Sequence, residues 1–149
     1  RVIQLYSVIT YISLAQSLVM TIFAKPLVLI LFGAEYLACI NTLRILVWYV
    51  TFSYFGYVRN IWILAEGKQK YLWIINLSGA VLNIIVNALL IPYFGAEGAA
   101  FASLVTQIFT NVIVGYIIRP IKYNNKLMFK GLSPMPLVNF SKSLIVRKK

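Results

Sequence analysis

The chain has 149 residues, of which 61% are apolar and 11% charged, with a net charge of +11; a soluble domain carries about 25% charged residues. It contains no His, a single Cys (Cys39) and three acidic residues, Glu35, Glu66 and Glu97. This inventory excludes a His/Cys metal site, a disulfide framework, a Ser-His-Asp triad and an Asp-based hydrolytic pair, so the expectation is a membrane protein that is not an enzyme and needs no metal or cofactor.

A helix needs about 20 mostly apolar residues to cross the hydrocarbon. The first predicted span covers residues 2–24 and stops at Lys25-Pro26. It is too long for a signal-peptide core and lacks a small-residue cleavage site. With Arg1 rather than Met at its head, the chain reads as the C-terminal part of a larger polytopic protein or a truncated product. Residues 27–32 are too few to cross and are expected at the interface. The second span, 36–65, exceeds what crossing requires, which predicts a tilted helix or interfacial first turns. The third, 71–91, is closed by Pro92 and Gly95, and the fourth, 99–118, by Arg119-Pro120. No strand-like alternation competes, and lipid favours helices because their backbone groups pair internally. The predicted fold is therefore an all-α integral membrane bundle of four transmembrane helices. Residues 119–149 form a basic tail, solvated by default and interrupted by Pro134 and Pro136, although the stretch from Lys126 to Lys130 could lie on anionic lipid.

The charge is a topology signal. Arg119, Lys122, Lys126, Lys130, Lys142, Arg147, Lys148 and Lys149 lie in the tail, and Lys68 and Lys70 in the loop 66–70. Two spans separate these regions, so both fall on one side, which the positive-inside rule makes cytoplasmic. No basic-aromatic surface outside the tail suggests nucleic acid. Phe32-Gly33-Ala34-Glu35 recurs as Phe94-Gly95-Ala96-Glu97; both copies are expected on the outer side, as in duplicated helical hairpins.

Candidate functional residues are the polar exceptions in apolar helices. Asn76, Asn83 and Asn87 share one face of the third span, with Gly79 between the first two. An amide facing lipid is costly without a partner, so this stripe either binds neighbouring helices or lines a watery path. Ser7, Thr10, Ser17 and Thr21 share a face of the first span. In the fourth, Gln107 and Asn111 stand out beside Ser103, Thr106 and Thr110, and Gly95, Gly98, Ala99, Ala102 and Ser103 give small-residue spacings suited to close packing. Arg44, about nine residues into the second span, is the sharpest single candidate. It would either hold an anionic headgroup or pyrophosphate through bidentate hydrogen bonds or snorkel to the outer interface. Arg59, about 22 Å further along the helix, reads as an anchor at the other interface. Trp48, Tyr49, Phe52, Tyr54, Phe55 and Tyr57 lie between them and are either packing groups or the stacking walls of a sugar pathway. The three glutamates fall in predicted loops, and Cys39 reads as a small hydrophobe near the outer interface.

The runs 64–70, 79–87 and 91–100 (LAEGKQK, GAVLNIIVN and IPYFGAEGAA), preceded by PLVLILFG at 26–33 with Tyr36 and Ala38, resemble the polysaccharide biosynthesis, O-antigen flippase-like family. That family belongs to the multidrug/oligosaccharidyl-lipid/polysaccharide exporter superfamily, and the resemblance covers about residues 10–118. It implies the last four helices of a two-lobed transporter in the bacterial inner membrane, with the N-terminal lobe missing. Such a protein moves lipid-linked oligosaccharide across the lipid bilayer by alternating access, through a cationic cavity to which Arg44 would belong. Two other readings stay open. A cation-coupled multidrug antiporter of the same superfamily would be expected to carry an acid within a helix. A small membrane scaffold or assembly subunit would use the Asn and Gly faces only to bind partner helices.

Overall fold

The computed structural model describes residues 2–133. Among these the chain is all-helical: α1 (Val2–Leu31), a 3-10 turn (Ala34–Cys39), α2 (Ile40–Ala65), α3 (Lys70–Ile108), a π-helical turn (Phe109–Ile113), α4 (Val114–Ile117), a 3-10 turn (Arg119–Ile121) and α5 (Lys122–Gly131). Three continuous stretches, Val2–Leu31, Ala34–Ala65 and Lys70–Ile117, are long and apolar enough to cross a membrane. Their outer surfaces are apolar too, with Ile22, Ile30, Trp73 and Ile84 all exposed, which is the pattern of helices solvated by lipid.

The helix boundaries correct three expectations. Lys25-Pro26 does not stop α1, which runs through Pro26 to Leu31. A proline forfeits one ladder bond, but the apolar residues on both sides keep the helical path, and membrane helices tolerate the loss where other groups compensate. Near this weak point Arg44 Nε approaches the Thr21 carbonyl oxygen at 3.4 Å. The stop comes instead at Gly33, whose φ of 90° suits glycine. There the N–H groups of Phe32 and Gly33 both donate to the Val28 carbonyl, at 2.9 and 3.1 Å. α2 starts at Ile40 rather than Tyr36, because residues 34–39 wind as a 3-10 turn. Arg44 therefore sits in the second turn of α2, not deep within it.

Third, no loop separates residues 91 and 99. The helical run passes through Pro92, and only Gly95 leaves helical geometry, at φ 53° and ψ −127°. The chain nevertheless reverses there. In an unbroken helix Asn83 and Thr106 would lie about 35 Å apart, yet Asn83 Nδ2 donates to Thr106 Oγ1 at 3.2 Å. A Cβ added at Gly79 would meet Thr110 Cγ2 at 2.7 Å. Arms 70–94 and 96–108 are thus antiparallel and closely packed. Glu97, expected in a loop, lies half-buried in the second arm.

Polar residues on α1 tie it to α2 and α5. Ser7, Thr10, Ser13 and Ser17 are all buried. Ser17 Oγ bonds the Thr51 hydroxyl and donates to the Val47 carbonyl, and Ser7 Oγ donates to the Gly131 carbonyl at 2.7 Å. Their small side chains let the helices approach closely.

The first part of the basic tail is not a solvated strand of chain, as expected, but a folded brace. Asn124, Asn125, Leu127, Met128 and Gly131 form the buried face of α5. Tyr6 Oη donates to Asn124 Oδ1 at 3.0 Å and Asn125 Nδ2 to the Val112 carbonyl at 2.7 Å. The main apolar cluster, including Tyr6, Trp62, Ile63, Ile75, Ile121, Leu127 and Met128, fills this end of the bundle. Lys68 Nζ donates to the Pro120 carbonyl at 3.2 Å, so the loop 66–70 and the start of the tail share one end. Pro134, Pro136, Lys142, Arg147, Lys148 and Lys149 lie outside the described residues.

Candidate functional site

Three helical segments each present a polar face with the spacing of a single helix side. α2 contributes Tyr49, Ser53, Gly56, Tyr57 and Asn60; the first arm of α3 gives Asn76, Gly79, Ala80 and Asn83; the second arm and the π turn give Ser103, Thr106, Gln107 and Thr110. Residues at i, i+3, i+4 and i+7 fall on one side of a helix. Where the three faces meet they enclose an open polar cavity of about 550 Å³, with Arg59 in its wall.

Arg59 is the chemical centre of this cavity. It is 5% exposed, because its neighbours three and four residues away are Phe55, Gly56, Trp62 and Ile63, all of them buried. Nη1 donates to the Thr110 carbonyl at 2.7 Å and to Asn111 Oδ1 at 2.8 Å. Nε and Nη2 donate to Asn60 Oδ1 at 3.3 and 3.1 Å. Four of the five guanidinium N–H donors are thus engaged, and every acceptor is neutral. Of the three acids in the chain, Glu66 lies 3.6 Å from Lys68, while Glu35 and Glu97 flank the reversals at the opposite end. The positive charge is held by neutral dipoles alone.

The π turn makes this possible. Val114 N–H bonds the Phe109 carbonyl, five residues back, rather than the Thr110 carbonyl four back. Thr110 O is thereby released to Arg59, and Val112 O in the same turn accepts from Asn125. A single extra residue in the turn so couples the cavity wall to the α5 brace. Gly56 gives Asn111 its place: a Cβ there would stand 3.0 Å from Asn111 Oδ1. Asn111 Nδ2 in turn donates to the Phe52 carbonyl at 2.8 Å and Gln107 Oε1 at 3.0 Å, and Gln107 Nε2 reaches Ser53 Oγ at 3.4 Å. One network thus runs Ser53–Gln107–Asn111–Arg59–Asn60.

Of the residues singled out in the sequence, Asn76, Asn83 and Gln107 line the cavity. Asn111 stands behind its wall and holds Arg59. Asn87 is outside the lining; its Nδ2 donates to Asn83 Oδ1 at 2.8 Å, orienting the amide that reaches Thr106. Arg44 is exposed near the start of α2 and takes no part in the cavity. Of the two arginines on α2, Arg59 is thus the buried one in the cavity wall and Arg44 the exposed one. The signal that identifies Arg59 is helical arithmetic, since Phe55, Trp62 and Ile63 three and four residues away place it on a packed side of α2. The aromatic cluster also divides. Tyr49 and Tyr57 line the polar cavity, whereas Trp48, Phe52 and Phe55 border an apolar cleft against α1 and α5.

Comparison of the chain with protein-family models, with curated proteins and with solved structures gives no match.

Proposed function

We propose that this chain is the C-terminal part of a membrane transporter that flips or exports lipid-linked oligosaccharide. In this reading it crosses the membrane four times, the arms of α3 on either side of Gly95 making separate passes. The loop 66–70 and the tail are cytoplasmic, and the membrane is the bacterial inner membrane. The observation that carries the proposal is Arg59, a buried cation without a carboxylate partner in the wall of a polar cavity of about 550 Å³. The charge of the guanidinium and its one free N–H donor can meet the diphosphate that joins lipid to sugar, and the amide-lined walls suit hydroxyl-rich cargo. An N-terminal lobe would close the cavity's open side. The resemblance of residues 10–118 to the O-antigen flippase-like family points the same way, with Arg59 taking the role first given to Arg44.

The test is binding of an isoprenyl pyrophosphate to the purified chain, followed by thermal stabilisation in detergent. The expected result is stabilisation of the wild type and affinity weakened about 10-fold or more by Arg59→Gln, the scale of a charge-assisted hydrogen bond, with Arg44→Gln unchanged. Equal binding by wild type and Arg59→Gln would remove the basis of the proposal. In cells, Arg59→Gln in the protein containing this chain is expected to stop export of surface polysaccharide at normal protein levels.

A second reading, a membrane scaffold or assembly subunit, is favoured by one observation. Asn83 and Asn111 already spend their amides on helix-to-helix bonds, which a protein that only assembles with others would also do. The binding experiment separates the two, because a scaffold has no use for the pyrophosphate.

A further inference from the structure

We infer that α5 is a docking surface for anionic phospholipid headgroups, independent of whether the cavity transports anything. Lys122, Lys126 and Lys130 follow one another at intervals of four residues, so they form one stripe, and all three are exposed. The opposite face of α5 is the buried one that grips α1 and the π turn. The helix therefore cannot roll its lysines inward; they are held pointing away from the bundle. Phe129 and Tyr123 flank the stripe, 44% and 61% exposed. Lysines between exposed aromatic rings on a helix at the end of an apolar bundle match the headgroup layer, with the rings at the acyl boundary and the ammonium groups among phosphates.

Charge complementarity selects anionic lipid over zwitterionic lipid. Between Gly98 and the end of the chain no acid occurs, while Arg119 and the three lysines crowd one short segment. The one acid at this end, Glu66, is adjacent to Lys68 at 3.6 Å. The stripe thus presents net positive charge to whatever surrounds it. The backbone of α5 is fixed by the Tyr6–Asn124 and Ser7–Gly131 bonds, so binding needs no ordering of the segment and its entropic cost is small.

The experiment is a lipid titration of the purified full chain followed by native mass spectrometry, with phosphatidylglycerol compared against phosphatidylcholine. The wild type is expected to retain phosphatidylglycerol preferentially, an advantage that shrinks with salt. Replacing Lys122, Lys126 and Lys130 with Gln is expected to weaken that retention by about 5-fold per lysine and leave phosphatidylcholine binding unchanged. Replacement with Arg preserves the preference, since the charge stays in place. Lys25→Gln at the opposite end is expected to leave it unchanged, which ties the preference to the α5 stripe rather than to any exposed lysine. The inference is overturned if the wild type shows no phosphatidylglycerol preference, or if the triple Gln variant keeps it. The three lysines are exposed, so the thermal unfolding of each variant in neutral lipid should match the wild type.

Discussion

Arg59 Nη1 and Asn111 Oδ1 stand 2.8 Å apart although 52 residues separate them in the chain. The contact joins α2 to the π turn at a point where neither partner reaches bulk water, both being buried. Asn111→Ala would remove an acceptor from a buried cation, and a hydrogen bond to a charged group is worth about 1.5–3 kcal/mol. That loss is expected in the unfolding free energy measured in detergent. In an Arg59→Gln background the same change should cost less, with a coupling of roughly 1 kcal/mol or more between the two sites. Additive losses would mean that the contact carries no energy of its own.

The fold-back of α3 has a direct chemical readout. With Cys39 replaced by Ser, cysteines at Asn83 and Thr106 are expected to form a disulfide on mild oxidation, because the native side chains touch at 3.2 Å. A straight helix would hold the pair about 35 Å apart and give none. A control pair at Asn83 and Tyr93, both on the first arm, should remain reduced.

Periodicity alone brings much of the cavity lining into view. Asn76, Asn83 and Gln107 stand out because apolar helices have few reasons to carry amides, and the 3.6-residue repeat says which of them share a face. What the repeat does not report is how a helix departs from itself. The π turn at Phe109–Ile113 leaves no mark in the residue pattern, yet it frees the Thr110 carbonyl on which Arg59 depends and carries the Val112 carbonyl that accepts from Asn125. Pro26 was misleading for the converse reason. Its local penalty is real, but helix continuity is decided by the flanking residues as well. Charge groups the loop 66–70 with the start of the tail, which share one end, but does not report burial: Arg44 and Arg59 look alike in composition, and only their neighbours on α2 separate an exposed side chain from a buried one. The segment 119–131 was hidden by its lysines, which mask the buried face made by Asn124, Leu127 and Met128.

The repeated Phe-Gly-Ala-Glu motif acquires a physical basis. Gly33 and Gly95 both have positive φ, 90° and 53°, and each marks a chain reversal. A Cβ added at either meets nothing within 4 Å, so the cost of alanine there is backbone strain alone. Gly33→Ala and Gly95→Ala are each expected to destabilise by about 1–3 kcal/mol. Gly98→Ala tests a different mechanism, since its Cβ would stand 2.6 Å from the Leu90 carbonyl oxygen. Its loss should therefore exceed that of Gly95→Ala.

Orientation can be tested with a native reporter. Cys39 is exposed and lies at the end of the bundle opposite Lys68, since the 26-residue α2 separates them. If Lys68, Lys70 and the tail mark the cytoplasmic side, a membrane-impermeant thiol reagent should label Cys39 in intact cells. A cysteine placed at Lys68 in a Cys39→Ser background should be labelled only after the membrane is opened. Lys68 itself donates to the Pro120 carbonyl at 3.2 Å and lies 4.7 Å from the Trp62 ring centroid, so a second reporter at exposed Lys70 guards against local shielding. The reverse labelling pattern would invert the topology, putting the α5 lysines and the loop 66–70 on the outer face. The Arg59 cavity would keep its chemistry, but a flippase working from the cytoplasmic leaflet would then have to load its substrate from the end carrying Gly33 and Gly95.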